Sequence, residues 1–260
     1  MMGVPTFYTR LLSDKRFTQT LTNHMRLFLS GSAPLLSETH HAFEARTGHC
    51  ILERYGMTET TMITSNPYDE ERRVGTVGFP LPRIEVRIVD EKTGKTLNDN
   101  QIGVLEVRGP NVFKGYWRMP EKTKDEFRKD GYFITGDIAQ IDSDGYITIV
   151  GRTKDLIISG GYNVYPKEIE KYIDDIESVM ESAVIGAPHP DFGEAVIAVI
   201  VCIKGKSVTT EQIQSALQVD VANFKCPKEI FFLESLPRNT MGKVQKNELR
   251  KQFQKTFDKN

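Results

Sequence analysis

A chain of 260 residues with 39% hydrophobic side chains and a formal net charge of −1 has room for one large or two modest cored domains. The balanced charge offers no general nucleic-acid or membrane surface, and no run approaches the length of a membrane span. Three scattered cysteines (Cys50, Cys202, Cys226) with no CxxC pair argue against a disulfide scaffold or a thiolate metal site.

Residues 1–12 have neither the basic segment nor the apolar run of a signal peptide, and they read as the middle of a domain. Residues 24–30 suit a short buried strand, and "GSAPL" at 31–35 a tight turn. Residues 37–48 read as a helix that Ser37 caps and Gly48 ends. The adjacent His40 and His41 within it do not share a face as a chelating pair. Residues 50–56 return as a strand, so strand, helix and strand give the rhythm of an α/β layer.

From residue 74 onward the pattern becomes β-rich. Strands are expected at 84–90, 103–109 and 145–152, separated by turn-forming segments. A short strand at 155–161 ends in Gly160 and Gly161, and Pro166 opens a helix whose apolar face is Ile169, Ile173, Ile176 and Met180. Strands at "SAVIGAP" and "AVIAVIVCI", a helix opened by a Thr209–Gln212 capping box, and a strand at "KEIFFLESLP" complete a small α+β domain.

Four segments carry residues suited to chemistry. In "LERYGMTETTM" at 52–62, Thr58 offers a hydroxyl to a phosphate, Glu59 a hard oxygen to magnesium, and Gly56 close backbone approach. A polar turn after a core strand explains the same composition. In "GYFITGD" at 131–137, Asp137 suits the two hydroxyls of a ribose; an Asx-turn or a helix cap suits it equally. In "GRTKDLIISGGYNVYP" at 151–166, Gly160 and Gly161 permit either a ligand or a tight turn, and Lys154 either a hinge or a solvated linker. In "PRNTMGKVQK" at 237–246, Lys243 follows a turn and suits developing charge on a phosphate; a surface lysine is the plain alternative. Residues 225–260 hold nine basic and four acidic side chains, which suits a phosphate-rich partner such as coenzyme A or ordinary solubility.

Taken together, "SGSAPL", "YGMTET", "TVGFPLP", "KGYWRMPEKT", "GYFITGD", "GRTKDLIISGGYNVYPKEIE" and "PRNTMGKVQK" resemble, in order and spacing, the adenylate-forming acyl-CoA synthetases. "NPYDEERRVGTVG" and "GPNVFKGYWRMPEKTKDEF" are similar to the malonyl-CoA synthetases within that family. The resemblance implies a mixed α/β and α+β fold. Residues 1–80 would be the last part of a large α/β adenylation core, 81–153 a β-rich subdomain, and 154–260 a mobile C-terminal α+β domain.

The resemblance also implies an ATP- and magnesium-dependent ligase that activates malonate as an acyl-adenylate and passes it to coenzyme A. Methylmalonate or another small carboxylate is the alternative acid, and a non-catalytic nucleotide-binding module the alternative class. By the same resemblance Thr58 binds phosphate and Glu59 magnesium. Gly31, Ser32 and Ala33 border the nucleotide and acyl pocket, and Glu53, Arg54 and Tyr55 lie beside the adenine and acyl group. Asp137 clasps the ribose with Arg152, Lys154 is the pivot, Lys243 the adenylation lysine, and Gly160 and Gly161 line the pantetheine path.

A dicarboxylate needs a cation at the far end of the acyl pocket. Arg54 is the candidate, with Met57 limiting pocket length; an ion pair of Arg54 with Glu53 or another acid is the alternative. The family's upstream phosphate loop does not occur in the chain. The expectation is therefore a partial enzyme that needs its N-terminal half and releases no pyrophosphate alone. The sequence fixes no compartment; the cytoplasm or mitochondrial matrix is the expectation.

Overall fold

The computed structural model describes residues 1–240 and 242–258. The chain forms two compact units, Met1–Val150 and Gly151–Asn260.

The first unit begins with β1 (Met2–Gly3), α1 (Pro5–Ser13), α2 (Gln19–Thr22), β2 (Leu29–Ser30) and α3 (Ser37–Thr47). It continues with β3 (Leu52–Met57), β4 (Thr61–Ser65) and β5 (Phe79–Pro80). One sheet has the order β1-β2-β3-β4-β5, parallel across β1, β2 and β3 and antiparallel from β3 to β5. Tyr8, Phe17, Phe28, Phe43 and Ile51 form the aromatic-rich cluster that holds α1 and α3 to this sheet. The expected strand at 24–30 is confined to β2, because Met25 is drawn into that cluster by a turn back to Thr22. Ser37 is the first helical residue of α3 rather than its cap; Leu36 holds the cap position and makes no side-chain bond.

A second sheet of the same unit has the order β6-β7-β8-β9, from β6 (Glu85–Val89), β7 (Gly103–Arg108), β8 (Phe133–Ile141) and β9 (Ile147–Arg152). The short helix α4 (Pro120–Glu126) follows β7. Asp137 stands in the middle of β8, neither in a turn nor at a helix cap. The sequence hides this strand because Gly136, at φ 71, interrupts its alternation. Ile63 of β4 packs with Val107 and Phe133, so the two sheets share a core in which Tyr55 and Met57 are partly buried.

The second unit takes in the last two residues of β9 and continues with a single 3-10 turn over Thr153–Asp155. Then come β10 (Ile157–Ser159), β11 (Tyr162–Val164), α5 (Pro166–Asp174), β12 (Val179–His189) and β13 (Gly193–Cys202). It ends with α6 (Thr210–Asp220), β14 (Glu229–Phe232) and α7 (Lys246–Phe253). The sheet order is β11-β10-β13-β12, with β14 pairing parallel to β13 over Ile197–Ile200.

Val184, Val196, Ala198 and Ile200 meet Ile169, Ile173, Ile213 and Leu217 of α5 and α6 on one face. Ala183, Ile185, Ile197 and Val199 meet Leu236 and Leu249 on the other. Covering on both faces is why β13 reads as an unbroken apolar run. The capping box of Thr209 and Gln212 is present at the start of α6. The apolar stripe expected over 169–180 is shorter: Ile176 lies past the end of α5, and Met180 sits in β12, where it is 53% exposed.

A candidate nucleotide and acyl site

The stretch 52–62 is a β-hairpin. Thr58, Glu59 and Thr60 form its tip, closed by the Thr60 N–H donating to the Met57 carbonyl at 3.1 Å. Thr61, the first residue of β4, follows in the left-handed region at φ 53. A Cβ on Gly56 would lie 1.9 Å from the Thr61 carbonyl oxygen, so only glycine lets the two strands close.

The tip is also fixed from outside. Asn111 Nδ2 donates to the Thr60 and Met62 carbonyls at 2.7 and 3.1 Å, and the Phe113 N–H donates to the Glu59 carbonyl at 2.8 Å. The outcome is a rigid tip on which Thr58 is exposed and Glu59 half-buried, while Thr60 is buried.

Glu59 has a neighbour that sequence reasoning missed. Tyr116 Oη lies 3.2 Å from Glu59 Oε1 and 2.7 Å from Glu126 Oε2. A phenol has one proton, so it donates to one carboxylate at a time and leaves the other oxygen-rich and underbonded. Burial, with Glu126 and Glu59 beside it, raises the Tyr116 hydroxyl well above its ordinary value and keeps it a donor. A half-buried carboxylate with spare acceptor capacity fits a hard cation such as magnesium. Tyr116 and Glu126 fall within "KGYWRMPEKTKDEF", and the bond from Tyr116 to Glu59 spans 57 residues of chain.

Tyr55 and Asp137 meet. The Tyr55 hydroxyl donates to Asp137 Oδ2, joining β3 of one sheet to β8 of the other. Asp137 is 4% exposed, and its own N–H donates to Thr135 Oγ1 at 3.1 Å.

Glu53 and Tyr55 alternate with Arg54 along β3. Glu53 is 7% exposed, with Oε1 lacking a partner, and it pairs in register with Ser30, whose hydroxyl is also buried and unpartnered. Burial pushes the Glu53 carboxyl up to about 7, against backbone N–H donors from Gly75 and Leu35. Gly31 opens the loop that continues through Ser32 and Ala33; its backbone runs against Arg54, so that an added Cβ would lie 3.3 Å from the Arg54 carbonyl.

Arg54 projects from the opposite side of β3 and donates to the Met2 thioether at 3.3 Å. No carboxylate pairs with it among the described residues. The alternative of an Arg54–Glu53 pair is thereby set aside. Met57 shares the Tyr55 side and packs toward Ile63 and Phe133, so the strand separates Met57 from Arg54.

In the second unit, Lys243 sits on a hairpin held by the Asn239 N–H to the Lys243 carbonyl at 3.0 Å and by the Lys243 N–H to Asn239 Oδ1 at 3.0 Å. Arg238 braces the same hairpin through the Gly242 carbonyl at 2.6 Å and through Glu181. Lys243 is half-buried and belongs to no ion pair among the described residues.

Arg152 closes β9, and Lys154 is exposed in the following 3-10 turn. Asp155 of that turn is paired with Arg250 of α7 at 2.8 Å. Gly160 and Gly161, at φ 57 and 84, are the two central residues of the β10–β11 hairpin. Two positive φ angles define a type I′ turn, which accounts for both glycines without a ligand.

Two family profiles fall on the two units that carry these features. Residues 1–117 match the profile described as AMP-binding enzyme, and residues 168–243 match AMP-binding enzyme C-terminal domain. The chain belongs to this AMP-binding, acyl-CoA synthetase family.

Among its relatives, ATP-bound MatB from Rhodopseudomonas palustris is 60% identical and superposes with a TM-score of 0.97 over 99% of this chain and 51% of that one. Probable CoA ligase CCL8 of Humulus lupulus is 42% identical over 96% of the chain and 44% of its own length. Malonate–CoA ligase of Arabidopsis thaliana is 40% identical over 97% and 44%. The chain thus spans about half the length of the relatives it matches.

Proposed function

We propose that the chain supplies the nucleotide- and acyl-binding half of an AMP-forming ligase that joins malonate to coenzyme A. The observation that carries this reading is the 60% identity to a MatB solved with ATP bound, spread over 99% of the chain. The site residues support it. A carboxylate oxygen of the acid attacks the α-phosphorus of ATP, pyrophosphate leaves, and the thiol of coenzyme A then displaces AMP from the acyl-adenylate.

Each of the assigned site residues has a task in that sequence. Asp137 accepts from the ribose hydroxyls, Arg152 assists it, and Tyr55 fixes the orientation of the carboxylate. Gly31, Ser32, Ala33, Glu53 and Gly56 shape the backbone beside the adenine and acyl group. The exposed Thr58 hydroxyl donates to a phosphate oxygen, and Glu59, oriented by Tyr116, would hold magnesium, which neutralises phosphate charge when bound. Lys243, with no competing carboxylate among the described residues, supplies a cation for charge developing at the α-phosphate. Lys154 acts as the pivot between the two half-reactions, and Gly160 and Gly161 present backbone to the pantetheine arm.

Arg54 selects the dicarboxylate. Among the described residues its guanidinium has only a thioether acceptor, which a carboxylate displaces readily. Met57 faces away from Arg54, so the limit on acid length rests with Arg54.

The test joins this chain to the N-terminal half of MatB and follows acid-dependent pyrophosphate exchange. Malonate should be preferred over methylmalonate, and both over acetate. Lys243→Ala should lower kcat on the order of a hundredfold or more with AMP binding retained. Arg54→Met should lower malonate kcat/KM on the order of a hundredfold and leave acetate unaffected. Equal rates with acetate and malonate before substitution would overturn the dicarboxylate assignment.

A further inference from the structure

Away from the residues assigned to nucleotide and acid, α3 and the start of β3 enclose a second group of donors. His40 and Glu44 are one turn apart on α3 and share a face. The chain reverses after α3 and brings Cys50 back against Glu44, with Sγ 2.8 Å from Oε1. One ligand atom from each of the three residues lies within 4.8 Å of the others.

His40 is 1% exposed, and neither ring nitrogen has a hydrogen-bond partner. A buried imidazole with both nitrogens unpartnered is uncommon, because it forfeits solvation without replacement. The unpartnered buried imidazole thus lies beside a thiol and an exposed carboxylate that are bonded to each other. Arg72, whose Nη1 donates to the Cys50 carbonyl at 2.7 Å, anchors the loop that carries the thiol.

We infer that His40, Glu44 and Cys50 form a three-ligand site for a borderline-soft divalent cation such as zinc, with a fourth position left to water. The donor set of nitrogen, sulfur and oxygen suits zinc and disfavours magnesium, which takes oxygen ligands. Side-chain rotation closes the group to the ligand spacing of a tetrahedral ion, about 3.5 Å. On binding, the Cys50 thiol gives up its proton to solvent and ligates as thiolate. Glu44 is exposed and half-buried Cys50 lies beside it, which gives the ion an entry path. The ion ties α3 to the strand that carries Glu53–Met57, a bracing role independent of the ligase reading.

Cobalt is the direct probe. Titration of the purified chain with Co2+ should give one equivalent bound, with a near-ultraviolet thiolate-to-cobalt charge-transfer band that Zn2+ displaces. Cys50→Ser should abolish the band and weaken zinc binding at least tenfold with an unchanged circular dichroism spectrum. Glu44→Gln should weaken binding with the band retained, and Cys202→Ser should change nothing. A band that survives in Cys50→Ser, or zinc binding no tighter in the parent chain than in that variant, overturns the site. Because the readout is spectroscopic, it stands whatever the chain's activity with ATP.

Discussion

At single positions, backbone geometry and buried charge set the sharpest expectations. Gly56→Ala forces a methyl group toward the Thr61 carbonyl and should destabilise the first unit by about 2–3 kcal/mol in urea denaturation. Gly161→Ala meets no atom within 4 Å and bears only the strain of its left-handed φ, about 1 kcal/mol. The reverse order would mean that β3 and β4 are less tightly apposed than described.

Glu53 gives a pH dependence whose sign is fixed. Its carboxyl, ordinarily near 4.5, rises to about 7 through burial, so the folded chain holds a proton that the unfolded chain has lost. Its contribution is fully present below about pH 4.5 and is lost as pH rises through about 7, at no more than about 1.4 kcal/mol per pH unit. Asp174 in the second unit, also raised to about 7 by burial, adds a slope of the same sign. Glu53→Gln should flatten the dependence of the first unit between those limits, read by denaturation at a series of pH values. An unchanged slope would remove Glu53 as its source.

Among the elements, α7 is held by a buried charge as well as by apolar contact. Glu170 is buried, with Lys167 at 2.6 Å and Lys246 at 2.5 Å, and it accepts from the Val184 N–H at 2.9 Å. Burial alone would raise this carboxyl; the two ammonium groups overcome that and hold it down at about 2. Its stabilisation is present above about pH 4.5 and is lost as pH falls toward about 2. Lys246→Met should destabilise the second unit by about 2 kcal/mol or more, since it strips one partner from a buried charge. Thr209→Ala, which removes half of a capping box at an exposed helix start, should cost about 1 kcal/mol. These two variants separate a buried network from a surface cap by magnitude.

Legibility in the sequence followed the same physics. α5 and α6 were visible because Pro166 and the Thr209–Gln212 box mark their starts, and β12 and β13 because apolar runs bury both faces. α7 was not, because the one residue it buries, Leu249, is surrounded by charge. β8 was not, because Gly136 breaks its pattern. Thr58, Glu59 and Asp137 could be nominated from residue type and motif. The Tyr55–Asp137 bond and the Tyr116 bridge depend on contacts that no local pattern encodes.

At the level of the whole chain, each unit has its own buried clusters and its own assigned residues. The first carries the hairpin tip, Asp137 and Arg54; the second carries Lys243 and the paired glycines. Among the described residues no helix is long and apolar enough to cross a membrane. Stability changes should therefore stay local. In hydrogen exchange, Lys246→Met should speed amides of β12 and β13 and leave β3 and β4 unchanged, and Gly56→Ala should do the reverse. Equal acceleration across both units in either variant would show that they open together.

The bond from Tyr55 to Asp137 has one further consequence. Any sugar hydroxyl that comes to Asp137 competes with a phenol already in place, so occupancy must redistribute that proton. Tyrosine absorbance and emission respond to such a change of partner. On the proposed nucleotide reading, adding AMP should therefore give a difference spectrum that vanishes in Tyr55→Phe.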